Sequence, residues 1–217
     1  MTSVPTSTSP STDRSAPVDV NRDRLCDMAI EHFGRFGFDE TMLEMSIATD
    51  VEVATLSEFF GSIERMRAAC DRRVLDTVKA AKTDVLTSHD AASWLVQVAQ
   101  IDSFAPLMMY IVRCLETRDD NARSFMVQMT DNAEAYLEEA VHAGTLKPSR
   151  DPKARARFLA MSSGGSFLLY RQLHRSPSDM QEVLRDYARD MIMPALELYT
   201  QGLLVDDSFY AAFGEKA

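Results

Sequence analysis

Glycine and proline are scarce, eight of each in 217 residues. Most of the prolines fall in the first 20 residues or between 147 and 177, so long stretches contain no helix breaker. Cysteine is scarcer still. Cys26, Cys70 and Cys114 stand far apart, with no CxxC pairing and no metal-ligand spacing. That excludes a disulfide framework and reads as reduced, packed thiols of a cytoplasmic protein. No apolar run reaches the roughly 18 residues of a membrane span. The opening MTSVPTSTSPSTDRSAP has no hydrophobic segment, unlike a secretory leader. Nothing alternates with period two over more than a few residues, so no strands are expected. Positive charge is also short: 23 Lys and Arg face 33 Asp and Glu, a net charge of −10. An acidic chain is a poor generic binder of polyanions. Catalytic patterns are missing too. There is no Gly-rich phosphate loop, no His pair on one helix face, no GxSxG and no two ExxH motifs of the di-metal kind. The expectation is a non-enzyme without cofactor or metal.

What is present is helical periodicity. Hydrophobic residues make up 46% of the chain, enough for a sizeable core, and thirteen are Met. Met fills irregular gaps and lines adaptable pockets. Residues 1–18, rich in Ser, Thr and Pro, are expected to be a disordered tail. Arg14, Arg22 and Arg24 near the junction could touch phosphate or the minor groove. A first helix is expected over 20–36, with Leu25, Met28, Ala29, His32, Phe33 and Phe36 as its apolar stripe and Gly37 as its stop. Thr41 and Glu44 form a capping-box pattern for a short second helix, with Met42, Met45 and Ala48 inward. A tight turn at 49–51 leads to a short third helix over 52–59. Ser62 caps a fourth helix running to about residue 86. Further helices are expected over 90–101, 104–118, 121–143, 151–175 and 179–201. Gly144, Asp151 with Pro152, and Gly202 mark ends and starts, and Pro194 is expected to bend the last helix near 190–191. The class is therefore all-α, with a three-helix head at 19–66, a helical bundle at 67–204 and a tail at 205–217.

The two short helices over 41–59 make a helix-turn-helix pattern. The first would brace across a DNA backbone and the second would lie in the major groove. The run LCDMAIEHFGRFGFDETMLEMSIATDVEVATLSEFFGSIERMRAA resembles the head of the TetR-like family of regulators. The resemblance is carried by Phe33, Gly37, Phe38 and Thr41, by the register Met42, Met45, Val51 and Leu56, and by Phe59-Phe60-Gly61-Ser62 with Glu64 and Met66. The ending PALELYTQGLL is similar to the close of the last helix in many members. It implies a homodimeric, ligand-responsive repressor that binds a palindromic operator in double-stranded DNA. The implied DNA-facing residues are Thr41, Val53, Ala54, Thr55, Ser57, Glu58, Ser62 and Arg65.

The departures from that pattern concern phosphate chemistry. Asp50 stands where the family has the turn Gly, Glu52 where it has the capping Ser, Ser57 where it has Tyr, and Ile63 where it has Lys. From residue 21 to 73 there are 7 Arg and no Lys against 11 Asp and Glu, a local charge of 7 − 11 = −4. Each absent cation removes one counterion-release contribution to binding. The alternative is a TetR-fold helical protein that binds ligands or partners and has lost DNA binding.

The body is expected to hold a small apolar ligand among Trp94, Phe104, Met108, Met109, Phe125, Met129, Phe167 and Tyr170, large side chains on central helices. Ordinary core packing is the rival reading for each of them. Arg113 and His174 could orient a polar group. By resemblance, the last two long helices pair with those of a second copy. The implied interface residues are Gly164, Gly165, Leu168, Leu184, Met191 and Ala195. The run Ser162-Ser163-Gly164-Gly165-Ser166 is unusual in a helix, because each Gly costs about 0.8–1.0 kcal/mol against Ala. Close helix approach would account for it.

Overall fold

The computed structural model describes residues 21–214, and every regular element among them is helical. The expected tail over 1–18, Arg14 included, lies outside the described residues. The head comprises α1 (Arg22–Phe36), α2 (Met42–Thr49) and α3 (Val53–Phe60). Helix α4 (Ile63–Thr87) leads from the head into the body. There follow α5 (Ala91–Ala99), a 3-10 turn (Ile101–Phe104), α6 (Ala105–Glu116), α7 (Asp120–Ala143), α8 (Pro152–Leu173) and α9 (Met180–Gln201). A last short helix, α10 (Ser208–Gly214), occupies the segment expected to be a tail, where Arg150 stacks over the Tyr210 ring at 4.8 Å.

Local chemistry sets most of the ends. The side chain of Asn21 accepts the Arg24 N–H at 2.8 Å and starts α1. Thr41 and Glu44 complete a reciprocal capping box: the Thr41 N–H donates to Glu44 Oε2 at 2.7 Å and the Glu44 N–H to Thr41 Oγ1 at 3.2 Å. Ser62, Asp119, Asp151 and Asp179 cap α4, α7, α8 and α9. Helix α9 continues through Pro194, and α8 runs unbroken through its Ser/Gly stretch.

The buried stripe of α1 is Leu25, Cys26, Ala29, Ile30, Phe33 and Gly34. Phe36, expected inside, is exposed, and Ala48 of α2 is exposed as well. The shift has a cause: α1 is covered from two sides, by α4 and α6. Gly34 marks the crossing with α6. A Cβ there would lie 3.0 Å from both Met109 Cβ and the Tyr110 backbone nitrogen. Head and body consequently share one core. Phe33, Met45, Leu56 and Met66 pack with Tyr110, Cys114 and Phe125. Full burial of such side chains stabilises by about 1.5–3 kcal/mol each. A second cluster joins Ala105, Val112, Phe167, Met180, Val183 and Leu184, and a third joins Ala133, Leu137 and Ala156.

Candidate nucleic-acid interface and its link to the body

The turn between α2 and α3 is closed by Asp50, at φ 53° and ψ 38°. This is left-handed backbone, which Asp tolerates better than most residues. It explains how Asp stands where Gly was expected. Leu56 and Phe60 are buried and Phe59 is half-buried, so α3 is anchored by one face. Val53, Ala54, Ser57 and Glu58 are exposed on the other. Thr55, expected on the free face, is half-buried beside Leu56. Glu52 precedes α3 and makes no side-chain cap. Its carboxylate complements the helix dipole but repels phosphate.

Around this face, Thr41 is exposed and Ser62 is half-buried, its Oγ accepting the Arg65 N–H at 3.3 Å. Arg24 and Arg65 are exposed and hold no ion pair among the described residues, so both are available to phosphate. Three neighbouring cations are engaged. Arg35 pairs with Glu31 at 2.9 Å, and Arg73 with Asp27 at 2.5 Å and Asp23 at 3.4 Å. Arg22 lies over the Phe60 ring at 5.4 Å.

Two arginines join head to body. Arg67 of α4 donates to Asp119 Oδ2 at 2.8 Å and Oδ1 at 3.3 Å, and lies 3.8 Å from the centre of the Phe38 ring. Asp119 also accepts the Ala122 N–H at 2.6 Å, capping α7. The hydrogen bond from Arg67 holds its carboxyl below the ordinary aspartate range. Beside them the Tyr110 hydroxyl donates to Asp71 at 2.7 Å, and burial pushes the Asp71 carboxyl up. Arg113 of α6 donates to the carbonyls of Arg35 at 3.1 Å and Gly34 at 3.5 Å, the last turn of α1. Sequence reasoning passed over Arg67 and Asp119. The one signal was a cation at helical spacing within the stripe Ile63, Cys70 and Val74.

The expected ligand residues are not gathered by either of two open clefts among the described residues. One, of about 300 Å³, lies between the end of α6 and the start of α7 and is lined by Cys114, Leu115, Arg118, Arg123 and Met126 among others. The other, of about 210 Å³, lies between α1 and α6. Of the eight expected apolar residues Met109 alone lines either, and Arg113, expected to orient a polar group, lines the second. Phe125 and Phe167 are core residues instead, set edge-on to Tyr110 at 6.1 Å and Tyr187 at 5.1 Å. Phe104, Met108, Met129 and Trp94 are half-buried, and Met108 packs against both larger clusters. Tyr170 is half-buried, its hydroxyl donating to Asp190 at 2.6 Å.

Of the expected interface residues, Leu184 is only 4% exposed and belongs to the second core. It is sealed inside its own subunit and is not free to meet another. Gly164 sits over Leu115, while Gly165 is exposed with open space where a Cβ would be. Leu168, Met191 and Ala195 are half-buried. Near them Phe158, Met161, Leu169 and Leu173 of α8, and Met193 and Tyr199 of α9, are exposed.

His174, Glu182 and Asp186 bring one ligand atom each within 4.8 Å of one another. The Ser176 N–H donates to His174 Nδ1 at 3.1 Å, so the neutral ring carries its proton on Nε2, facing Asp186 at 3.1 Å. Arg175 and Arg189 engage the two carboxylates. The group is a polar clasp at the α8–α9 corner rather than a metal cradle.

A two-helix hook with one arm outward, carried on an all-helical body, defines a helix-turn-helix regulator. The chain is 49% identical over 190 residues to the HTH-type transcriptional regulatory protein RaaS of Mycobacterium tuberculosis, covering 88% of this chain and 90% of that protein. Residues 102–205 match the tetracyclin repressor-like C-terminal domain. Among solved structures, the fold is similar to the TetR-family regulator PfmR of Thermus thermophilus, with TM-score 0.50 and 21% identity over 87% of this chain and 100% of that one. It is similar too to a candidate fatty acid metabolism regulator of Clostridium perfringens, with TM-score 0.54 and 16% identity over 84% and 99% of the two chains. The chain belongs to the TetR family of transcriptional regulators.

Proposed function

We propose that this regulator is a ligand-responsive repressor that binds a near-palindromic operator as a homodimer, with α3 in the major groove. The observation that carries this is the free outer face of α3, Val53, Ala54, Ser57 and Glu58, on a helix anchored by Leu56 and Phe60. Arg24, Arg65, Thr41 and Ser62 supply the phosphate contacts, with Thr55 behind them. The protein works in the cytoplasm and catalyses nothing. No described helix is long and apolar enough to cross a membrane. A mobility-shift titration of the gene's own promoter fragment tests the reading. Retardation is expected at low salt, weakening steeply as salt rises. No retardation even at low salt would leave the acidic head with a purely structural role.

The body takes a small apolar ligand bordered by Trp94, Phe104, Met108, Met109, Met129 and Tyr170, while Phe125 and Phe167 stay in the core. Ligand entry shifts the population between two head spacings. Helices α8 and α9 pair with those of a second copy, which would cover Leu169, Leu173 and Met193. A two-fold interface is the common arrangement. Gly165→Leu tests it. A Cβ at this exposed position would have nothing within 4 Å in its own subunit, and the change relieves the cost of a helical Gly. The variant is expected to keep its monomer stability and to dimerise at least about tenfold more weakly, since overpacking costs about 1–3 kcal/mol. A sedimentation profile identical to wild type would contradict the interface.

A further inference from the structure

We propose that the cleft between α1 and α6 is a binding site for a small oxyanion, a phosphate or carboxylate group. The cleft holds about 210 Å³ and is walled by Arg35 of the head, Arg113 of α6 and Arg171 of α8, with Glu116, Ser178 and Met180 at its edges. Two of the guanidinium groups already have carboxylate partners: Arg35 pairs with Glu31 at 2.9 Å, and Arg171 with Glu116 at 3.0 Å. Arg171 also donates to the Pro177 carbonyl at 3.0 Å. Arg113 differs. It is half-buried, has no carboxylate partner among the described residues and donates only to two α1 carbonyls. Its Nε is buried with no partner. A partly desolvated cation without a counter-ion is unfavourable, and an anion beside it relieves the cost. The guanidinium fork matches the paired oxygens of phosphate and carboxylate. The volume suits a small group rather than an extended apolar ligand, and of the residues proposed to border the body ligand Met109 alone reaches this cleft. Arg35 and Gly34 belong to the head and the other walls to the body. An occupant touching both sides favours the head position seen here.

Isothermal titration of the full chain tests the site, with inorganic phosphate and with succinate in separate arms, against chloride at equal ionic strength. Saturable binding at one site per chain is expected with at least one probe. The responding probe names the group: phosphate alone, carboxylate alone, or either oxyanion. Arg113→Met is expected to weaken binding about tenfold or more, the loss of one charge-assisted hydrogen bond. Ser178→Glu, an exposed change at the rim, is expected to do the same by repulsion and guards against misfolding of the first variant. Absence of saturable binding with both probes overturns the proposal, as does equal affinity in wild type and both variants. No DNA enters the measurement, so a failure of operator binding is distinguishable from a failure here.

Discussion

Replacing Arg67 with Met is expected to destabilise the protein by about 2–4 kcal/mol, read as a lower urea midpoint with an unchanged slope. Two interactions depend on this one side chain. It makes a two-pronged salt bridge to Asp119, it stacks on Phe38, and it thereby ties the head loop to the start of α7. The Arg67 side chain is 10% exposed but that of Asp119 is 41% exposed. Solvent screens the acidic half, so the figure is set below the 3–5 kcal/mol of a fully buried broken pair. Met keeps much of the apolar stem and removes charge and stacking together. Asp119→Asn is expected to be milder, because Asn still caps α7. An Arg67→Met protein as stable as wild type would show that the bridge contributes nothing.

The same bridge sets an acid response. The Asp119 carboxyl is held down by Arg67, so its contribution is complete above the ordinary aspartate value, near 4. It is lost as pH falls through the lower folded value. Asp71 acts in the opposite sense, since burial raises its carboxyl and protonation favours the fold. The difference between wild type and Arg67→Met is therefore expected to shrink on acidification.

What could be read from the sequence was what depends on neighbours a turn away. The capping box at Thr41 and Glu44, the cap at Ser62, the start at Asp151 and Pro152, and the stops at Gly37, Gly144 and Gly202 all use groups within about four residues. The distant pairs were not legible. Arg67 and Asp119 are 52 positions apart, and Arg113 reaches the Arg35 carbonyl across 78. Periodicity finds an apolar stripe without saying what covers it. Leu184 was placed at a partner interface because the resemblance pairs the last two helices with a second copy, yet it packs into the core of its own subunit. Phe125 and Phe167 were given to a pocket as large apolar residues on central helices, and both are core residues. A large apolar residue on a central helix carries the same pattern whether it lines a cavity or fills one. Asp50 misled in the other direction: it reads as a lost Gly, yet it holds the left-handed turn.

Ala54→Glu is expected to lower operator affinity by about a hundredfold or more while changing stability by less than about 0.5 kcal/mol. Ala54 is exposed at the second position of α3, and Leu56 and Phe60 hold the opposite side in the core. A carboxylate in the first turn suits the helix dipole, so the fold gives no reason for loss. In a groove flanked by phosphates it would join Glu58 on the helix and Glu52 just before it as a third negative charge. Like charges brought together on desolvation cost several kcal/mol, which exceeds what one added side chain could recover. The reverse change, Glu58→Gln, is expected to strengthen binding several-fold on any DNA, because it removes repulsion without reading a base. Thr55, half-buried, is a poorer probe, since a change there would disturb packing as well. Fluorescence anisotropy with labelled operator at two salt concentrations, beside urea unfolding of each variant, separates binding from folding. Wild-type affinity in the Ala54→Glu protein would remove α3 from the groove. The free arm of the hook would then serve something other than DNA.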